Sequence, residues 1–195
     1  MIADVPTLAD LTWPKRTARL SLRLAVEDDL APMWEYRHLD AVGMWMTDAS
    51  KDLDVFITKA AADDRLADTI IVEVDGRLVG DLMVRVESPW SQGEVAEQAK
   101  DTQAEIGWCL DPVVQGRGFG TESAAELLRI GFADLGLRRL TAQCFADNEP
   151  SWRIMERIGM RREAYNVKDS LHRSGAWMDG MLYALLADEW RAQVG

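Results

Sequence analysis

A short run rich in glycine is the part of this sequence best suited to bind a ligand. Gly116, Gly118 and Gly120 alternate with Arg117 and Phe119, and a helix is predicted to begin directly after them. Glycine has no side chain, so a phosphate can approach its backbone closely. The start of a helix also presents unpaired N–H groups and the positive end of the helix dipole. The run therefore has the chemistry of a pyrophosphate-binding turn, with Arg117 adding positive charge at its rim.

Three interpretations of this turn stay open from its spacing alone. The residues do not follow the G-x-G-x-x-G pattern of dinucleotide-binding turns, and no acidic residue stands in the position that this pattern requires. They do not form a Walker loop either, because the lysine before Ser or Thr is missing. A G-x-G-x-G turn can bind a nucleotide, bind another phosphorylated ligand, or serve as a flexible turn without a ligand.

The elements around the turn are predicted from hydrophobic periodicity. The turn follows a predicted strand, Ala104–Leu110, and precedes an amphipathic helix, Thr121–Leu135, which Gly136 ends. A strand at Leu140–Phe145 and a short helix at Ser151–Ile158 come next. This order is typical of a mixed α/β domain.

The rest of the chain is predicted to comprise a loose arm at 1–17, interrupted by prolines, and one domain at 18–195. The other predicted elements are strand Arg19–Leu24, a helix that opens at Glu27, helix Asp52–Asp63, strands Thr69–Val74 and Leu78–Val86 around an Asp75-Gly76 turn, and final strands near Arg161–Val167 and Trp177–Leu186. The polar residues 88–103 are predicted to form a long surface loop. We interpret this loop either as a lid or partner contact, or as a tolerated insertion.

Composition narrows the class of partner. The 195 residues carry a formal net charge of −11, which argues against nucleic acid and favours cationic small molecules or basic protein segments. No stretch approaches the ~18 apolar residues of a membrane-spanning helix, and the first residues lack the order of a secretion signal. We therefore expect a cytoplasmic protein without a membrane partner. Cys109 and Cys144 lack metal-ligand spacing and are predicted to be buried free thiols, so no metal is expected.

Several motifs along the chain occur together in one known family. They are Gln115-x-x-Gly118-x-Gly120, Asp147–Ser151, Ile158–Glu163, Gly175–Asp179 and Tyr183–Leu186. The first has the form Gln/Arg-x-x-Gly-x-Gly/Ala of the acyl-CoA pyrophosphate motif in the GNAT superfamily of N-acyltransferases. The chain resembles this superfamily over roughly Ala18–Trp190, and it looks most similar to the branch of Rim-type acetyltransferases of ribosomal-protein N-termini.

The resemblance implies a single-domain α/β GNAT fold, a mixed and mostly antiparallel sheet with splayed central strands, flanked by helices. The pantetheine arm of acyl-CoA would lie between the splayed strands. Backbone groups of Cys109 and Leu110 would hold the pantetheine and the thioester carbonyl, one N–H supporting the developing oxyanion. Asn148 would bind the pantetheine arm through its amide. The diphosphate would be held by Gln115, Gly116, Arg117, Gly118, Phe119, Gly120 and Thr121.

The resemblance also suggests two catalytic residues. Glu105 lies four residues before Cys109, where the family often carries the general base that deprotonates the amine. The competing interpretation is a solvated or salt-bridged strand residue. Many members use a tyrosine as the acid that protonates the CoA thiolate, but Met155 stands at that position here. Ser151 is the candidate instead, because the Rim-like branch uses a serine at this point; its competing role is to cap a helix.

The implied activity is transfer of an acetyl group, or a related acyl group such as succinyl, from acyl-CoA to a primary amine. The acceptor would be a protein N-terminus or a small molecule, attacking directly and without a metal. Met155 leaves a second interpretation open, a non-catalytic acyl-CoA-binding module. Rim-type relatives often dimerise, so a homodimer is also considered.

Overall fold

A computed structural model describes residues 5–62 and 65–195 of this chain. Its strands are β1 (Lys15–Arg16), β2 (Ser21–Leu24), β3 (Thr69–Val74), β4 (Arg77–Glu87), β5 (Gln103–Leu110), β6 (Arg139–Phe145), β7 (Arg161–Leu171) and β8 (Trp177–Leu186). They form one mixed sheet in the order β1-β2-β3-β4-β5-β6-β8-β7. The pairing of β5 with β6 is parallel, while β1–β2, β2–β3, β3–β4, β6–β8 and β7–β8 are antiparallel. This mixed, mostly antiparallel sheet flanked by helices is the α/β architecture that the sequence predicts.

The helices alternate with groups of strands along the chain. They are α1 (Leu30–Arg37), α2 (Asp40–Gly43), α3 (Leu53–Ala62), α4 (Ala96–Ala99), α5 (Phe119–Arg129), α6 (Glu149–Arg157) and α7 (Ala187–Val194). A π-helical turn, Ile130–Asp134, follows α5 directly. Among the described residues, no helix combines the length and the apolar character that crossing a membrane requires.

Most predicted elements are present with small shifts in their bounds. β3 and β8 have the predicted bounds, and β4, β5 and β6 each begin one residue earlier than expected. The predicted end of the second helix, Asp63, lies outside the described residues. The sequence did not predict α2, α4, α7 or β1. The segment 88–103 is also more ordered than a plain loop, because it contains a 3-10 turn and α4.

The described part of the predicted arm is not loose. Lys15 and Arg16 pair with β2, and Leu8 is buried. A tight turn brings these strands together, since the N–H of Thr17 donates to the carbonyl of Leu20 at 3.0 Å. The prolines that suggested an arm therefore precede a strand. The domain boundary between residues 17 and 18 stays a prediction.

The chain divides into two compact units. The glycine-turn unit comprises the described residues of Thr12–Met83 together with Trp108–Ser123. The hairpin unit comprises residues 5–11, Val84–Gly107 and Ala124–Gly195. A buried apolar cluster in the glycine-turn unit joins α1 to the sheet and to α3; it contains Leu30, Met33, Tyr36, Val42, Phe56, Ile71 and Cys109.

A π-helical turn in the hairpin unit packs closely against strand β6. A side chain at Gly131 would meet the Leu140 side chain at 2.7 Å, so helix and strand β6 pack at a distance that only glycine allows. The N–H of Leu135 reaches back to the carbonyl of Ile130 at 2.9 Å, closing the wider turn. The predicted helix to Leu135 is therefore α-helical only as far as Arg129.

The parallel ladder between β5 and β6 is short. It covers Gln103–Glu105 and Arg139–Thr141, three of the eight residues of β5 and three of the seven of β6. β6 is paired with β8 along its whole length, from Arg139 to Phe145. This short ladder agrees with the expected splay of the two strands.

Candidate functional site

The glycine turn has the local structure expected of a phosphate cradle. A 3-10 turn, Pro112–Val114, follows β5, and the Asp111 carboxylate caps it by accepting from the N–H of Val113 at 3.0 Å. Gly116 and Gly118 then adopt positive φ angles of 73° and 81°, and α5 begins at the next residue. Residues with side chains rarely adopt this conformation, so the glycines are what lets the chain turn here.

The same two glycines leave the turn open on its outer face. A Cβ at Gly116 would have no atom of the described chain within 4 Å. A Cβ at Gly118 would meet only the guanidinium of Arg19, at 3.3 Å. Gln115 and Arg117 are exposed, whereas Phe119 is buried. The backbone amides thus lie at the beginning of an eleven-residue helix without side chains in front of them, as a diphosphate requires.

Sequence reasoning missed the residues that hold this turn. Arg19 donates from Nη1 to the carbonyl oxygen of Arg117 at 2.8 Å and forms an ion pair with Glu122. Thr17 also donates to Glu122, at 2.5 Å. These partners are separated by about a hundred residues of sequence. The one local signal was an acidic residue in the first turn of α5, which suits the helix dipole but names no partner.

The end of β5 supplies backbone rather than side-chain chemistry. Cys109 is buried and free, and Leu110 is half-buried. Burial raises the pKa of the Cys109 thiol to about 12, with the nearby Asp81 carboxylate adding to the shift. The thiol is therefore protonated at neutral pH and is a poor nucleophile. A side chain at Gly80 would lie 2.7 Å from the carbonyl oxygen of Cys109, so β4 contacts this backbone closely.

A buried polar cluster next to Cys109 was not predicted. Asp81 accepts from the hydroxyl of Tyr36 at 2.5 Å and from Nε of Arg37 at 2.8 Å. Burial and then the Asp81 charge raise the pKa of Tyr36 well above its ordinary value. A buried ion pair of this kind costs desolvation free energy that its hydrogen bonds offset. The cluster fixes α1 against β4, and each residue looked like an ordinary helix or strand position in the sequence.

In the hairpin unit, both carboxylate oxygens of Glu105 already have partners. Oε2 forms an ion pair with Arg85, and Oε1 accepts from Nε2 of Gln143 at 3.0 Å. The salt-bridged interpretation of this residue therefore describes its present contacts. A carboxylate can accept further bonds, since each oxygen has two lone pairs. Proton transfer at Glu105 requires a free lone pair or the exchange of one of these contacts.

Ser151 and Asn148 lie at the beginning of α6. Asn148 is the N-cap residue, and its carbonyl accepts from the N–H of Ser151 at 3.1 Å. Burial raises the pKa of the Cys144 thiol to about 11, and the nearby Ser151 hydroxyl opposes the shift. Met155, at the position of the missing tyrosine, is buried and apolar.

The predicted site residues thus fall into two groups. Cys109, Leu110 and Gln115–Thr121 belong to the glycine-turn unit, and Glu105, Asn148 and Ser151 belong to the hairpin unit. No group of three or more His, Cys, Asp or Glu side chains that could hold a metal ion occurs within residues 5–62 and 65–195. Together the predicted site residues offer backbone amides, the Arg117 guanidinium, the side-chain amides of Gln115 and Asn148, the hydroxyls of Thr121 and Ser151, and the paired carboxylate of Glu105.

Comparison with known proteins decides the family. The profile described as "Acetyltransferase (GNAT) domain" matches residues 19–161. The chain belongs to the GNAT acetyltransferase family. An uncharacterized N-acetyltransferase of Bacillus subtilis (strain 168), YnaD, is 28% identical over 177 residues, covering 89% of this chain and 97% of that protein. This GNAT protein is accordingly an acetyltransferase.

Solved structures support the same conclusion. A GNAT-family acetyltransferase from Bacillus anthracis superimposes with a TM-score of 0.74 at 29% identity, covering 89% of this chain and 98% of that one. RimL, a ribosomal L7/L12 alpha-N-protein acetyltransferase in complex with coenzyme A, gives a TM-score of 0.75 at 18% identity. That match covers 89% of this chain and 97% of RimL, and it shows a shared fold.

Proposed function

We propose that this protein transfers an acetyl group, or a related acyl group, from acyl-CoA to a primary amine by direct attack. The acceptor is the N-terminus of a protein or a small molecule. The observation that carries the proposal is the open glycine turn at the beginning of α5, where Gly116 and Gly118 expose backbone amides. The RimL structure contains coenzyme A, which supports a CoA-type ligand over a simple nucleotide.

In this proposal the ligand is held mainly by backbone. The N–H groups of Gln115–Thr121 bind the diphosphate, and the guanidinium of Arg117 adds charge beside it. Backbone groups of Cys109 and Leu110 bind the pantetheine, and an N–H there stabilises the oxyanion as the amine attacks. Asn148, whose side chain makes no capping bond within the described chain, binds the pantetheine arm.

Two side chains move protons. Glu105 accepts the proton of the acceptor amine, directly or through water, on a free lone pair or after exchange of its contact with Arg85 or Gln143. Ser151 donates a proton to the departing thiolate and takes one back from water, so that its hydroxyl is restored. Met155 has no proton to donate, so no tyrosine-type acid acts at that position.

The net charge of the protein also favours a cationic acceptor, such as a protonated small-molecule amine or a protein N-terminus. The net charge of −11 attracts positively charged amines and repels anionic acceptors. The cytoplasmic location and the homodimer remain predictions.

A thiol-release assay tests the proposal. Acetyl-CoA and succinyl-CoA are offered with a panel of polyamines, amino sugars and N-terminal peptides, and free CoA is measured. We expect acetyl-CoA to be turned over with at least one primary amine, and the matching N-acetylated acceptors to be inert. Tight acetyl-CoA binding without turnover on any amine would instead favour the non-catalytic binding module.

A further inference from the structure

Arg19, in the turn between β1 and β2, contacts the glycine turn. Its Nη1 donates to the carbonyl oxygen of Arg117 at 2.8 Å, and its Nε donates to Oε2 of Glu122 at 2.7 Å. The guanidinium also lies 4.7 Å from the centre of the Phe119 ring. All four residues belong to the glycine-turn unit. The guanidinium of Arg19 therefore contacts the glycine turn, the ring of Phe119 and a carboxylate at the start of α5.

The bond to the Arg117 carbonyl fixes the direction of an amide. In a trans peptide, the carbonyl oxygen and the following N–H point to opposite sides of the bond. Because the Arg117 oxygen points to Arg19, the N–H of Gly118 must point away from Arg19. Gly118 has a φ of 81° and lacks a side chain to restrict it, so its peptide plane would otherwise be free to rotate.

Glu122 holds Arg19 in this position. Its Oε1 accepts from the hydroxyl of Thr17 at 2.5 Å and from the N–H of Arg19 at 3.0 Å. Burial alone would raise the pKa of Glu122, but the bonds from Thr17 and Arg19 hold it below its ordinary value. The carboxylate is thus charged at neutral pH and neutralises much of the Arg19 charge.

The ring of Phe119 lies next to a second cation. The guanidinium of Arg117 is 4.8 Å from the centre of the ring, which is only 3% exposed. Cation–π attraction favours this placement, so Arg117 is held close to the turn whose oxygen Arg19 binds. The two arginines therefore differ in their surroundings. Arg19 is paired with Glu122 and can position the peptide, whereas Arg117 lies at the exposed rim and can offer its charge to a ligand.

We propose that Arg19 is a positioning residue for the diphosphate of acyl-CoA, orienting the Gly118 amide through the Arg117 carbonyl. This inference rests on the proposed function. Arg19 acts through geometry and contributes little charge of its own, because Glu122 pairs with it. Lysine cannot make both contacts, since it lacks the planar fork of donors.

The test compares acetyl-CoA with S-acetylpantetheine, which lacks the diphosphate together with the 3′-phosphoadenosine attached to it. Dissociation constants for acetyl-CoA and for S-acetylpantetheine are measured by NMR titration in the wild type, Arg19→Gln, Arg19→Lys and Glu122→Gln. Arg16→Gln is the charge-matched control, because Arg16 is an exposed arginine of β1. We expect Arg19→Gln and Arg19→Lys to weaken acetyl-CoA by about tenfold, the scale of one lost charge-assisted hydrogen bond. S-Acetylpantetheine affinity is expected to be unchanged.

The outcomes separate the inference from the function beneath it. If the wild type does not bind acetyl-CoA, the proposed function fails. If the wild type binds but Arg19→Gln matches Arg16→Gln, only the positioning role fails. An equal loss for both ligands would reveal a general structural role, and full rescue by Arg19→Lys would reveal a charge effect; either overturns the inference. If Arg19→Gln does not fold, Arg19→Lys and Glu122→Gln are used instead to compare the affinity for acetyl-CoA with the affinity for S-acetylpantetheine.

Discussion

The glycine turn and the region around Glu105 and Ser151 present their polar groups in opposite ways. In the turn, backbone amides are exposed because Gly116 and Gly118 have no side chains, and one distant arginine holds the peptide. In the second region, the carboxylate of Glu105 already has partners in Arg85 and Gln143. Such a turn is preorganised for binding, whereas Glu105 needs a free lone pair or the exchange of one of its contacts before it accepts a proton.

The largest expected effect comes from filling the turn. Gly118→Glu forces a side chain into a backbone with a φ of 81° and places a negative charge beside the diphosphate. We expect acetyl-CoA affinity to fall by more than about 100-fold, since both strain and repulsion oppose binding. Calorimetric titration measures it.

Gly175→Glu is the matched control for that variant. Gly175 has a similar φ of 85° and open space around it, but lies in the turn between β7 and β8. Unchanged affinity in Gly118→Glu, or an equal loss in both variants, would remove the glycine turn as the binding site.

The second effect concerns Glu105. Glu105→Gln keeps the shape of the side chain and removes its ability to accept a proton, so turnover should fall by roughly 100-fold. The loss should be greatest at lower pH, where more of the acceptor amine is protonated. Steady-state rates across a pH series measure this, with Glu87→Gln, a carboxylate of β4 bonded to Gln103, as the control. An unaltered pH–rate profile would leave Glu105 as a salt-bridged strand residue.

Ser151 should have a smaller effect, because a thiolate leaves without much help. Ser151→Ala should slow acyl transfer by about tenfold, below the usual range for general acids, while acetyl-CoA affinity stays the same. Single-turnover kinetics measures the rate of acyl transfer, and calorimetric titration measures the affinity for acetyl-CoA. Ser174→Ala, in the exposed turn before β8, is the control. An undiminished rate would remove Ser151 as the acid.

The smallest effect is on stability in the hairpin unit. A hydrogen bond from Arg139 lowers the pKa of Glu163 to about 2 against the opposing effect of burial, and Arg161 assists. The stabilisation is therefore present above the ordinary pKa of 4.5 and is lost as pH falls towards 2. After allowance for solvent screening, Glu163→Gln should lower the free energy of unfolding by about 1 kcal/mol at pH 7.

Urea unfolding at several pH values measures this difference. The gap between Glu163→Gln and the wild type should narrow as pH falls below 4.5 and be nearly closed at about pH 2, and the exposed Glu97→Gln should behave as the wild type throughout. A gap that persists unchanged into acid would mean that packing, and not charge, is responsible.

The sequence predicted the turn because glycine residues indicate a backbone conformation directly. Gly116 and Gly118 reveal a local conformation by their identity alone, and the flanking periodicity places a strand before them and a helix after them. Arg19 and Glu122 were not found, because their bond spans 103 positions and each suits its own element equally well without it. Long-range pairing of this kind leaves no periodic signal.

The same reason explains the other misses. Gln143 meets Glu105 only because β5 and β6 pair in parallel, which the order of strands along the chain does not state. The turn of the chain at Thr17–Leu20 brings β1 into the sheet although its prolines suggested an arm. The periodicity placed Gly131 on the apolar face of a helix, but it did not predict the close contact of Gly131 with Leu140.

The most direct test follows the amide resonances of the turn. In a 15N-labelled sample, the N–H signals of Gly116, Gly118 and Gly120 are recorded during titration with acetyl-CoA and, separately, with S-acetylpantetheine. If the amides of the turn bind the diphosphate, we expect large, saturable shifts of these three signals with acetyl-CoA and little movement with S-acetylpantetheine, which lacks the diphosphate. Acetyl-CoA binding that leaves the three signals unmoved would contradict it.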